Sequence, residues 1–71
     1  MNRETVRDFN GKILGYIETQ PTGNKLVRDF YGKILGRYDK SSNLTRDFYG
    51  RIVAHGDQAS MLLGMKKWLN V

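Results

Sequence analysis

The sequence predicts a mainly β fold of the small α+β type: three repeated β-hairpins in a pseudo-threefold arrangement, six strands in all, plus one C-terminal amphipathic α-helix. Three observations carry this expectation. The phrase RDFNGK at Arg7 returns as RDFYGK at Arg28 and RDFYGR at Arg46. A small residue, Gly15, Gly36 or Ala54, recurs in the middle of each returning strand. After Asp57 the apolar spacing changes from alternation to a helical period. Repeats of about this length mark one supersecondary unit per copy, each unable to bury its apolar face without neighbours. The hairpins are expected over about 4–18, 25–39 and 43–56 and the helix over about 58–69, all in one domain of 1–71.

Turn chemistry accounts for the repeated phrase. A type I turn favours Asp at its first position and Gly at its fourth, and an αL glycine there gives a three-residue hairpin loop with a G1 bulge. Asp8 to Gly11, Asp29 to Gly32 and Asp47 to Gly50 fit that template. The loop sets Asp8 opposite Lys12, Asp29 opposite Lys33 and Asp47 opposite Arg51. Counting back along the strands then pairs Arg7 with Ile13, Val6 with Leu14 and Thr5 with Gly15. One face carries Val6, Leu14 and Tyr16, the other Thr5, Ile13, Gly15 and Ile17. Glycine weakens a strand interior unless something must approach closely. Gly15, Gly36 and Ala54 are therefore expected to converge on a crowded pseudo-threefold axis. The segments TQPTGN and KSSN are dense in turn formers and are expected to be linkers between hairpins.

In the C-terminal segment Asp57 is the expected N-cap, and Met61, Leu62, Met65, Trp68 and Leu69 form one stripe, with Leu63 off it. So short a helix is not stable alone. It is expected to cover the hairpins, while Met61, Met65 and Trp68 are also candidates for an interface with another copy.

Bulk properties narrow the function classes. The chain has no cysteine, so disulfides and thiolate metal sites are excluded, and a single histidine makes no metal site. MNRETVRDF lacks the apolar core of a secretory signal, and no segment has the roughly 20 apolar residues of a membrane span. A soluble, unprocessed, cytoplasmic protein with no membrane association is the expectation. The formal charge of +5 permits attraction to a polyanion. The basic residues are nevertheless spread through the repeats, as a solvated surface would be.

No asymmetric catalytic constellation is present. Asp8, Asp29 and Asp47 are equivalent turn residues, His55 has no partner in sequence, and Ser41, Ser42 and Ser60 lie in no nucleophile motif. Asp8 to Gly11 matches part of a calcium loop, but the further oxygen ligands and the closing Glu are missing. The expectation is a non-enzymatic protein with no catalytic residue, metal or cofactor. The candidate interaction residues are Phe9, Phe30 with Tyr31, and Phe48 with Tyr49 at the turn tips, together with the flanking Arg7, Arg28 and Arg46. Rings among cations are what single-stranded nucleic acid binders use. Folding of the rings over neighbouring hairpins is the favoured alternative, because large aromatics left in water form a sticky patch.

With these residues in place, the repeated D-x-x-G-K-I-x-G pattern over nearly all of Thr5 to Asp57 resembles the small bacterial beta-flower proteins, whose short hairpins surround a central axis. It is more loosely similar to the YD repeats of bacterial Rhs-type proteins. The resemblance implies a radial hairpin fold and a bacterial or phage source, and it carries over no functional residue. Ala54 in place of the glycine, three copies only and the added helix are departures from the pattern. Six strands keep exposed edges unless the first meets the last, so a homo-oligomer, a dimer in preference, is expected. The favoured function is a structural or protein-interaction module, and the alternative is a nucleic-acid-binding protein.

Overall fold

The computed structural model describes residues 2–69, with side chains described through Gly64. The strands are β1 (Asn2–Arg7), β2 (Ile13–Thr19), β3 (Lys25–Asp29), β4 (Ile34–Asp39), β5 (Leu44–Asp47) and β6 (Ile52–His55), followed by α1 (Ala59–Leu69). The strands form one antiparallel sheet in chain order, β1-β2-β3-β4-β5-β6. The hairpins therefore stand side by side in a continuous meander, with β1 and β6 at its two edges.

The expected linkers are themselves hairpin turns. Gln20 N–H donates to Asn24 O at 2.8 Å, Gly23 N–H donates to Gln20 O at 2.8 Å, and Gly23 has φ of 92°. This is the loop of the repeated phrase in other residues, with Pro21 at the position where a type I turn prefers it. Between β4 and β5, Asn43 takes the left-handed conformation with φ of 56°, and Asp39 Oδ1 accepts from Ser41 N–H at 3.0 Å. Tight turns at both ends of the sheet leave no slack, so each hairpin hydrogen-bonds to the next as well as within itself.

The register corrects the expected faces. Arg7 does pair with Ile13, but Val6 pairs with Gly15 and Thr5 with Tyr16, because the ladder shifts between Val6 and Arg7. The same shift falls between Val27 and Arg28 and between Thr45 and Arg46. Leu14, Leu35 and Val53 are thus the extra residues of three β-bulges, a device that bends a strand and breaks its alternation. All three are half-buried against the core, as is Val6. Counting by twos from the turn misses this reset.

One face of the sheet is covered by α1, which packs chiefly over β2, β3 and β4. The core is Ile17, Val27 and Tyr38 from the sheet with Ala59, Leu62 and Leu63 from the helix. The helix stripe is therefore rotated from the expected one: Leu63 is buried, and Met61 faces outward at 41% exposure. Ala59, Leu62 and Leu63 stand at i, i+3 and i+4, one face of a helix, from which Met61 is excluded by spacing. The expected stripe positions Met65, Trp68 and Leu69 lie outside the residues whose side chains are described.

Gly15 and Gly36 do sit at a close approach, both of the neighbouring strand's carbonyl oxygen and of a leucine from the helix. A Cβ on Gly15 would run into the Arg28 carbonyl oxygen and stand 2.5 Å from Leu63 Cδ2. On Gly36 it would run into the Arg46 carbonyl oxygen and stand 2.8 Å from Leu62 Cδ1. Ala54, the third small residue, is on β6, outside the three strands that chiefly carry the helix, and is only half-buried.

The helix start is organised by a residue that breaks the repeat. Val6 and Val27 are followed at the equivalent position by Thr45, which is fully buried. Its hydroxyl donates to Gly56 O at 2.8 Å and accepts from Gln58 N–H at 3.1 Å. The expected cap, Asp57, accepts from Ala59 N–H at 3.4 Å and is tied to Lys25 through Nζ–Oδ2 at 2.5 Å.

Two substitutions test this packing. Gly36→Ala should cost about 1–3 kcal/mol in chemical denaturation, because the obstructing oxygen belongs to the backbone. Gly64→Ala, at an open position on α1, should instead gain up to about 1 kcal/mol. Thr45→Val preserves the shape but removes one partner from Gly56 O and one from Gln58 N–H, which keep their mutual bond of 3.1 Å, and should cost about 0.5–1.5 kcal/mol.

Candidate functional site

The meander places the three loops of the repeated phrase at one end of the sheet, one per alternate connection. Neighbouring loops are two strands apart, a separation of about 10 Å. Each is built in the same way. Asp8 N–H donates to Lys12 O at 2.9 Å and Gly11 N–H to Asp8 O at 3.0 Å. Asp8 Oδ1 accepts from the N–H groups of Asn10 and Lys12, both at 2.9 Å. Asp29 and Asp47 hold Tyr31 with Lys33 and Tyr49 with Arg51 in the same two bonds. Gly11, Gly32 and Gly50 have φ of 87°, 90° and 86°, a conformation glycine adopts without a Cβ clash.

The arginine of the phrase completes each loop. Nη1 of Arg7 donates to Gly11 O at 2.9 Å, that of Arg28 to Gly32 O at 2.8 Å, and that of Arg46 to Gly50 O at 2.9 Å. Arg7 and Arg46 each spend one of a guanidinium's five donors in this way, and Arg28 spends a second on Glu18. The sequence reading placed these arginines beside the rings but missed that each is pinned. The i, i+4 spacing of Arg and Gly is the signal that could have revealed it.

The aromatic residues do not fold back over neighbouring hairpins. Phe9 is 98% exposed, Phe30 47%, Tyr31 80%, Phe48 58% and Tyr49 78%. The reason is local. A loop satisfied by its own Asp, Gly and Arg leaves its two central side chains outside the packing, even though Asp29 at the base of the second tip is buried opposite Gly15. Within each of the second and third tips the rings touch, Phe30 to Tyr31 at 4.0 Å between centroids and Phe48 to Tyr49 at 5.4 Å. The first tip has Asn10 in place of the tyrosine. The edge thus joins Phe9, Phe30, Tyr31, Phe48 and Tyr49 to Arg7, Arg28 and Arg46. Met61 is on α1, outside these loops.

The face of the sheet opposite α1 continues this surface. Pairing in register sets Arg3, Glu18, Leu26, Arg37, Arg46 and Ile52 in one row across all six strands. Glu18 Oε1 accepts from Arg28 Nε at 3.0 Å, and the Arg3 guanidinium lies 4.1 Å from the Tyr16 ring centroid. Arg37 is exposed and has no ion-pair partner among the described residues.

Two carboxylates are shifted by their hydrogen bonds. Burial alone pushes the Asp47 carboxyl up. Hydrogen bonds from the Arg51 backbone and guanidinium, the Arg51 charge and the Tyr49 N–H outweigh it and hold the group below the ordinary aspartate value of 3.8. Asp39 is also held low, first by the Ser41 hydroxyl and then by the Ser41 N–H. Among the described residues no group of three His, Cys, Asp or Glu side chains could hold a metal ion, and no helix is long and apolar enough to cross a membrane.

No known protein family, curated protein or solved structure matches this chain.

Lowered values for Asp39 and Asp47 mean that their ionised forms stabilise the fold above pH 3.8, and that this contribution is lost as the pH falls further. Thermal melts should be level from about pH 7 to 5 and drop below about 3.8, with Asp47→Asn showing a shallower acid limb.

Proposed function

We propose that this chain is a non-enzymatic interaction module that engages its partner through the row of turn tips. The observation that carries the reading is the exposure of five aromatic rings on loops already satisfied by their own hydrogen bonds. The loops' backbone groups are satisfied without the rings, and exposed apolar surface grouped in this way marks an interaction site. The reading assigns no catalytic role. Each turn aspartate is engaged with its loop, and His55 stands exposed on the edge strand β6.

The kinship with beta-flower proteins belongs to this proposal, with the three hairpins as a pseudo-threefold set. It is supported by the identical turns and by the bulge repeated in each copy. A cytoplasmic site of action is part of the same reading. Self-association as a homodimer is supported by the two unpaired edges, of which β6 leaves Ile52 at 51% exposure. β1 carries Arg3, Glu4 and Arg7, charges that discourage strand addition, so β6 is the edge assigned to the contact.

The triple variant with Phe9→Ser, Phe30→Ser and Phe48→Ser tests the working surface. It should keep its circular dichroism and lose no more than about 0.5 kcal/mol per site, while a pull-down from the native host's lysate loses the partner that the unaltered chain retains. Equal capture by both chains would remove the turn edge from the function. Light scattering at micromolar concentration should give twice the protomer mass of 8.2 kDa, and a monomer mass would remove the dimer.

A further inference from the structure

Resting on the turn-edge reading, we infer that the partner is single-stranded nucleic acid, laid along the turn tips across the strand direction. The edge is periodic. Each tip repeats an exposed ring, a guanidinium pinned to the loop carbonyl and a second cation, Lys12, Lys33 or Arg51. A linear ligand that alternates a planar group with a negative charge matches a row of this kind. Rings that stack bases, with cations that track phosphates, are the recurring means of binding single strands without sequence preference.

The aspartates of the edge do not oppose a phosphate as free charges would. Asp8, Asp29 and Asp47 accept backbone N–H groups inside their loops, and Asp47 also pairs with Arg51 at 2.9 Å. Against these three carboxylates, and Glu18 which pairs with Arg28, the edge sets Arg7, Lys12, Arg28, Lys33, Arg46 and Arg51, within a chain of formal charge +5.

An independent observation comes from the sheet face opposite α1. Arg37 and Arg46 are directly opposed across β4 and β5. Like charges in that position destabilise a sheet. An anion held between them reverses the sign, and Arg46 also belongs to the third tip through Gly50. The opposed pair therefore extends the phosphate track from the edge onto the face. It accounts for a charge placement that folding alone disfavours.

The test is fluorescence anisotropy of the full chain with a labelled oligothymidylate, and with a labelled polyglutamate peptide, at about 50 and 200 mM salt. The oligothymidylate should bind, and its affinity should fall steeply over that range. Phe30→Ser with Phe48→Ser should weaken binding about tenfold or more without loss of fold. Arg37→Ser should lower the salt slope by about 0.7 for the lost phosphate contact, while denaturation shows stability unchanged or raised because the like-charge pair is gone. No binding to oligothymidylate at the lower salt overturns the inference, as does equal binding to polyglutamate or binding indifferent to both variants. If the lysate pull-down then retains a nuclease-resistant protein through the same phenylalanines, the interaction-module reading stands and only the nucleic acid assignment falls.

Discussion

The structure depends on the seating of Leu62 and Leu63 over Gly36 and Gly15. A sheet this small has one face to spare for a core, and a single short helix must supply the other half. Side chains on the strands beneath would hold the helix off. With hydrogen atoms at those two places, the leucines reach the strand backbone itself and close against Ile17, Val27 and Tyr38. The bulges assist by turning Leu14, Leu35 and Val53 towards the same core, which widens an apolar face that strict alternation would have left thin.

Around that core the chain is ordered by local chemistry. The carboxylate of the repeated phrase satisfies two loop N–H groups, the glycine supplies the left-handed residue, and the arginine ties off the loop carbonyl. Gln20 to Asn24 reaches the same loop with Pro21 and Gly23 and without an aspartate. The backbone shape is thus the shared requirement, and the side chains are alternative means of reaching it. Because the loops at both ends are short, strand order follows chain order, and the sheet is a meander by necessity.

The same economy separates the loops' backbone from their outward side chains. Turn tips whose backbone is satisfied internally leave Phe9, Phe30, Tyr31, Phe48 and Tyr49 exposed beyond the sheet. In Thr45 the reverse holds: a hydroxyl in place of a valine methyl binds the chain after β6 and holds the start of the helix where the repeat ends. A change in the repeat therefore marks the transition between two kinds of structure.

By itself the sequence determined whatever short-range chemistry controls: the three loops with their Asp and Gly positions, the hairpins, the presence of a helix from about residue 58, and the close neighbour that a strand glycine requires. Tertiary structure decided the rest. Which neighbour met Gly15 and Gly36, which side of α1 turned inward to bury Leu63 in place of Met61, and whether the aromatic tips folded back all depend on where the one core lies, a property of the assembled sheet. The bulges at Leu14, Leu35 and Val53 belong to that second class too. A one-residue slip has no local signature, and it is favoured only because the half-buried side chains it delivers find a helix waiting.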